Sequence, residues 1–345
     1  MSSDPPSGDP KVVVIGGGTG IYAVLTGLQQ YTANITAIVS MSDNGGSSGR
    51  LRDEFGYLPP GDVRRCLVAL ASRDDSLLLR DLFEYRFARG LGLNGHTFGN
   101  LLITALTDIL GSTDRAIDEA GRLLRITGRV LPVTLDATTL CARLVDGHEI
   151  CGETDIDVRK VHHGVPISDV YLQPRAEANS LALEAIADAD LVVLGPGDLY
   201  TSVIPNLLVG GVAETIRAST AKCVYVCNVM TKHGETDGFP ASHFIREMNR
   251  YLGGDDVLDC AVLNYHESLP RDLYLKYKRQ RSEPVTIDLG PCYESVSHLA
   301  IRPLTATGEL VRHDPTLLAQ TLMGIAGSPI ARDRADAPAL SLVAG

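Results

Sequence analysis

The run KVVVIGGGTG, Lys11 to Gly20, decides the fold. Its first half, Lys11 to Ile15, is a short apolar stretch rich in β-branched residues. That is the pattern of a strand covered on both faces in a parallel sheet. Its second half, Gly16, Gly17, Gly18, Thr19 and Gly20, turns the chain. Ile21 to Gln30 then carries Ala23, Val24, Leu25 and Leu28 at helical spacing, and Ile35 to Ser40 is a second strand. Together they make a βαβ unit. A glycine loop between strand and helix lets the backbone approach a phosphate, and the first helical turn offers free amide donors. Read as G-x-G-x-x-A, Gly18, Gly20 and Ala23 fit a dinucleotide fingerprint. No GxxxxGK[ST] run is present, which disfavours a P-loop ATPase.

Just past the second strand lies MSDNGGSSGRLR, residues 41 to 52. In open α/β sheets ligands bind at that edge. The stretch is too rich in glycine to expect a stable helix or strand, so it reads as a ligand loop. Asp43 stands where a ribose-binding acid would sit. Asn44, Gly45, Gly46, Ser47 and Ser48 suit an anion-binding nest of backbone amides, with Arg50 and Arg52 positioned to clamp a phosphate or carboxylate.

Beyond it, Val63 to Ser72, Leu77 to Ala88, Phe98 to Leu110 and Asp114 to Ile126 have helical periodicity. Val130 to Glu149 is β-rich, and Asp146-Gly147 marks a hairpin. Leu191 to Leu194, Lys222 to Cys227 and Cys260 to Leu263 read as strands. Asn206 to Arg217 and His243 to Tyr251 read as helices. The expected architecture is a Rossmann-like α/β fold, with a mostly parallel sheet flanked by helices and a helical insertion after the second strand. It forms one domain over 11–326, between a disordered lead (1–10) and a flexible tail (327–345).

Four further motifs fall on loops. PPGDVRR (59–65) opens a helix, with Asp62 read as its cap and Arg64 and Arg65 as solvated. GLNGHTFGNLL (92–102) presents His96 and Asn100 at a loop–helix junction, where His96 would serve as acid, base or phosphate donor, or merely as packing. GPGDLYTSVIPN (195–206) is a second strand–glycine loop–helix unit, with Gly195, Gly197, Asp198, Leu199, Thr201 and Ser202. CNVMTKHGETDGF (227–239) supplies Asn228 and Lys232 from a third loop. No zinc, EF-hand, kinase or nucleophile-elbow motif occurs, so no catalytic residue and no metal site are assigned.

The net charge of −11 argues against nucleic-acid binding. No stretch reaches the roughly 18 apolar residues of a membrane span, and the first residues lack a signal-peptide pattern. The seven cysteines, odd in number and without a CxxC pair, are expected as buried, reduced thiols.

Taken together, GGGTG, DNGGSSGRLR, PPGDVRR, HTFGNLL and GPGDLYTSVIPNLLVGG resemble the YvcK family, the gluconeogenesis factors. That family lies within the superfamily of CofD, the 2-phospho-L-lactate transferase of coenzyme F420 synthesis. The resemblance runs from about Lys11 to Leu322. It implies a cytoplasmic bacterial regulator that binds UDP-sugars, chiefly UDP-N-acetylglucosamine. Such proteins are linked to cell shape, cell-wall precursor supply and gluconeogenic growth. It implies no established catalysis and no required cofactor, with NAD accommodated in the same crevice. It also implies Tyr277 and Arg312 as ligand contacts, a ring on a base and an arginine on a diphosphate. One position departs: Asp198 stands where the family has serine, and a carboxylate beside a diphosphate needs a cation or a ribose hydroxyl.

Two alternatives follow. A CofD-like transferase would need a divalent cation such as Mg2+ on Asp43, Asp62 and Asp198. An NAD-dependent oxidoreductase would depend on His96 as proton donor. The partner expected in each case is a small nucleotide. A homo-oligomer is compatible, and regulatory protein partners are left unnamed.

Overall fold

The computed structural model describes residues 9–328 apart from 73–76, 160–163, 256, 266–268, 307 and 309. The expectations for the lead and the tail fall almost wholly outside the described residues. β1 (Val12–Gly16) is buried at every position, as its apolar run requires. It leads through the glycine turn into α1 (Tyr22–Leu28) and β2 (Ile35–Val39). The insertion is α2 (Gly46–Phe55), α3 (Gly61–Leu70), α4 (Leu77–Glu84), α5 (Phe98–Leu110) and α6 (Thr113–Leu124), after which β3 (Arg129–Pro132) returns beside β2. β4 (Thr139–Leu144), β5 (Glu149–Cys151) and β6 (Ile167–Gln173) form a separate antiparallel sheet, with α7 (Glu153–Asp157) after β5. α8 (Ser180–Ala187), β7 (Leu191–Leu194), a π-helical turn (Leu199–Val203), α9 (Ile204–Leu207) and α10 (Val212–Ala218) follow. β8 (Lys222–Val226), α11 (Ala241–Leu252), β9 (Cys260–Asn264), α12 (Arg271–Arg279), α13 (Leu289–Tyr293), β10 (His298–Arg302) and α14 (Pro315–Ala326) complete the described chain.

The larger sheet has seven strands in the order β10-β9-β8-β7-β1-β2-β3, and every pairing in it is parallel. This is the Rossmann-like architecture expected. β1 sits inside it, with Val12 opposite Ile35 of β2 on one side and Leu191 of β7 on the other. The chain therefore builds outward from β1 in one direction, then returns and builds outward in the other. The space beyond the carboxyl ends of β1, β2 and β7 is a topological switch point. Leu25 and Leu28 of α1, Leu67 of α3 and Phe244 of α11 are fully buried in the core these strands share.

Three expectations are corrected. The glycine-rich stretch is not a loop throughout, because α2 begins at Gly46. Tertiary packing overrides weak propensity there. Ser47, Ser48, Gly49 and Leu51 are buried, and Gly56 (φ 72°) closes the helix in the left-handed region. The single helix expected over Asn206 to Arg217 is broken. The Gly210 amide and carbonyl bond to the backbone of Ala176 and Ala178, so the helical ladder cannot run through. Finally, Cys141 and Cys151 form a disulfide, while Cys66, Cys223, Cys227, Cys260 and Cys292 are free and buried. A two-residue turn at Asp146-Gly147 would set Ala142 opposite Cys151. The observed hairpin, closed by Leu144 N to His148 O, has a three-residue loop, which sets Cys141 opposite Cys151 instead.

Candidate functional site

At the switch point lies a cavity of about 440 Å³. It is lined by Thr19 and Gly20, by Asp43 and Gly45 to Ser48, by Gly61, Asp62, Arg64 and Arg65 of α3, and by Arg86 and Asn100. Glu153 and Asp157 of α7, then Gly197, Asp198, Thr201, Ser202 and Asn228, close it.

The two glycine loops meet edge to edge. A Cβ on Gly20 would lie 2.0 Å from the Pro196 carbonyl oxygen and 2.6 Å from the Gly197 Cα. A Cβ on Gly18 would lie 2.4 Å from the Asp62 carbonyl oxygen. The glycines of the first loop thus serve first to bring three chain segments together. Gly16, Gly17 and Gly18 are buried behind the cavity, and only Thr19 and Gly20 line it.

Asp43 turns the stretch after β2 by accepting the Gly45 amide at 2.8 Å. Asn44 faces away and ties down α7, its Oδ1 accepting the Thr154 amide at 2.8 Å. The Ser47 hydroxyl lies 3.3 Å from His96 Nδ1, and the Thr97 amide also donates to it. Burial, then the Arg50 charge, holds His96 below its ordinary value, so it is neutral near pH 7. His96 reaches the site only through Ser47. Arg50 points outward, its guanidinium donating to the carbonyls of Asn94 and Gly46.

The second loop explains Asp198. Its side chain meets Lys232 Nζ at 3.4 Å, and the same ammonium lies 2.5 Å from Asp157 Oδ1. Asp157, Asp198 and Glu235 have ligand atoms all within 4.8 Å of one another. A lysine already supplies this acidic trio with its cation. Burial opposes the Lys232 charge, but Asp198 and Asp157 outweigh it and hold Lys232 above its ordinary value. Glu235 is buried and accepts the Tyr200 amide at 3.1 Å and the Thr201 hydroxyl at 3.0 Å, capping the π-helical turn. Leu199 packs in the core, and Gly195 lies behind the loop.

The site residues foreseen from sequence thus divide. Thr19, Gly20, Asp43, Gly45, Gly46, Ser47, Ser48, Asn100, Gly197, Asp198, Thr201, Ser202 and Asn228 are brought together. Tyr277, on α12, accepts the Val311 amide at 2.9 Å with its hydroxyl; it and the exposed Arg312 stand outside the cavity lining. Asp62 does not cap α3, whose N-cap is Pro60; it faces the cavity, taking the Gly18 amide. The sequence reading missed Arg86, Glu153 and Asp157 altogether, and placed Arg64 and Arg65 in solvent.

Burial and neighbouring acids push three carboxyls up: Asp62 to about 7, Glu153 to about 8 and Glu235 to about 8. The ordinary values are 3.8 for aspartate and 4.5 for glutamate. Between those values and about 8 the folded chain holds protons that the unfolded chain has released. The associated stability is complete below the window and is lost as pH rises through it. Thermal unfolding without ligand is expected to give a Tm that falls from about pH 6.5 to pH 8.5, above the range in which the lowered histidines His96, His243 and His313 pull the other way, as stability drops by up to about 1.4 kcal/mol per pH unit for each titrating carboxyl. A Tm that rises over that range contradicts the assignment.

The family model described as 2-phospho-L-lactate transferase CofD matches residues 12–306. The gluconeogenesis factor of Halalkalibacterium halodurans is 45% identical over 279 residues, covering 81% of this chain and 84% of that relative. The gluconeogenesis factor of Bacillus subtilis is 37% identical over 319 residues, covering 92% and 98%. A crystal structure of a Bacillus halodurans protein matches with a TM-score of 0.87 at 39% identity, over 92% of this chain and 100% of that one. With most of its length matched by the family model and by relatives this similar, the chain belongs to the CofD family, in its gluconeogenesis-factor (YvcK) branch.

Proposed function

We propose that the chain is a nucleotide-sugar-binding regulator. Its cavity receives the sugar-diphosphate part of a uridine nucleotide such as UDP-N-acetylglucosamine. Through that ligand it links gluconeogenic carbon supply to cell-wall synthesis and cell shape. The observation that carries this reading is the meeting of two glycine loops at the switch point, Gly20 against Gly197, with hydroxyl and amide side chains around the opening. The names of the relatives, gluconeogenesis factors, support the metabolic setting.

One observation favours a second reading, a CofD-like transferase moving a phospholactyl-type group from a nucleoside diphosphate donor. Asp43 and Asp62 both line the cavity, and the Asp43 charge is the main force after burial that raises Asp62. A divalent cation held by these two carboxylates would relieve that repulsion and neutralise charge on a bound phosphate.

Calorimetric titration with UDP-N-acetylglucosamine, with GDP plus Mg2+, and with NAD separates the two. The expected result is saturable, Mg2+-independent binding of the UDP-sugar with no product formed on prolonged incubation. Binding of GDP alone, and only with Mg2+, would overturn the regulator in favour of the transferase.

A further inference from the structure

One wall of the cavity gathers three arginines, none of them ion-paired among the described residues. Arg64 and Arg65 project from the first turns of α3, Arg86 follows α4, and all three line the space. Arg64 is only 6% exposed. Its Nε donates to Asn100 Oδ1 at 2.9 Å and its Nη1 to the Phe83 carbonyl at 3.4 Å. Arg86 donates to the Gly95 carbonyl at 2.7 Å. These partners are neutral. Among the described residues, none of the three arginines forms an ion pair.

A buried guanidinium beside two like charges is unfavourable unless an anion compensates it. Burial first, then Arg65, lowers Arg64 to about 10; Arg86 acts in the same sense, and the Glu84 and Asp62 charges, neither in an ion pair with it, offset only part of this. Asn100 carries the wall onward, its Nδ2 reaching the Ser48 hydroxyl at 3.4 Å in the first turn of α2. Helix-start amides and serine hydroxyls complement guanidinium groups around an oxyanion. Among the lining acids, Asp62 feels Arg65 and Arg64, whereas the charges that shift Glu153 and Asp198 are other acids and Lys232. The glycine loops are thus not the only place in the cavity suited to an anion.

We propose that Arg64, Arg65 and Arg86 form a second anion subsite, which holds the phosphoryl or carboxylate group of a small metabolite separate from the nucleotide. The subsite stands on the arginines themselves; only its place beside a nucleotide sugar rests on the function proposed above.

Inorganic phosphate is the probe, titrated into the full chain alone and again with saturating UDP-N-acetylglucosamine. Phosphate is expected to bind in both cases, with affinities within about three-fold of each other. The Arg65→Gln/Arg86→Gln double variant is expected to bind phosphate about ten-fold more weakly or worse, with its near-UV circular dichroism unchanged. Arg64→Lys, which keeps the charge but loses the guanidinium's bonds to Asn100 and the Phe83 carbonyl, should weaken it too. Undiminished phosphate binding in these variants overturns the subsite. So does loss of phosphate binding when the nucleotide saturates, since the arginines would then hold the nucleotide's own diphosphate. If the UDP-sugar does not bind but phosphate binding still depends on the arginines, the subsite stands and the nucleotide-sugar reading falls.

Discussion

Gly20→Ala should abolish ligand binding and cost about 3 kcal/mol or more of stability. The added methyl would sit 2.0 Å from the Pro196 carbonyl oxygen and 2.6 Å from the Gly197 Cα. Both obstacles are backbone, so no side chain can swing aside. The loops must separate, and their separation moves Thr19, Asp198 and Ser202 together, all of which line the cavity. The check is denaturant unfolding alongside nucleotide titration. A variant with wild-type stability and affinity would mean that the close approach of the loops is unimportant. By contrast, Arg50→Ala is expected to change affinity little, because that side chain is bonded to the Asn94 and Gly46 carbonyls and is not itself in the cavity lining.

Lys232→Met is the second large effect. It removes the cation from Asp157, Asp198 and Glu235 while keeping the apolar stem. Breaking a buried ion pair costs about 3–5 kcal/mol, but Lys232 is about a third exposed, so about 1–3 kcal/mol is expected. The variant carries a further signature. With the ammonium gone, three carboxyl groups face one another, Glu235 keeping its proton near neutral pH until a cation displaces it, and millimolar Ca2+ or Mg2+ should raise the Tm of the variant while leaving that of the wild type almost unchanged. Equal responses of the two proteins would show that the lysine is not the trio's counter-ion.

The parts of this protein that were legible in its sequence are those governed by short-range pattern. An apolar run before glycines and a helical period after them located β1, β7 and the two loops, because that succession has few other physical solutions. The hairpin at Asp146-Gly147 was legible as a hairpin but not in its register, and one residue of loop length decided whether Cys151 faced Ala142 or Cys141. α2 was missed because its helicity comes from burying Ser47, Ser48 and Leu51 rather than from propensity.

The charged half of the cavity was the least legible. Asp62, Arg64 and Arg65 lie in a motif that was noticed, yet a local reading offered capping and solvation, both complete explanations within the sequence. Only the packing of α3 against Gly18 turns Asp62 inward. Glu153 and Asp157 come from a short helix between β5 and β6 of the second sheet, held in place by the bond from Thr154 to Asn44 across 110 residues of chain. Long-range placement of this kind leaves no periodic signal. Asp198 is the reverse case. The sequence posed the question of its counter-charge, and Lys232, itself foreseen as a site residue, supplies it.

The measurement that tests the central claim most directly is titration of UDP-N-acetylglucosamine into the wild-type chain and into Thr19→Trp. Thr19 is exposed and lines the cavity, so an indole there fills the opening without entering the core. The account predicts saturable binding to the wild type and a loss of roughly 100-fold or more in the variant, about 2.7 kcal/mol of binding free energy, at an unchanged Tm. Equal affinities for the two proteins would contradict it, because the nucleotide sugar would then be binding somewhere other than the meeting place of the two glycine loops.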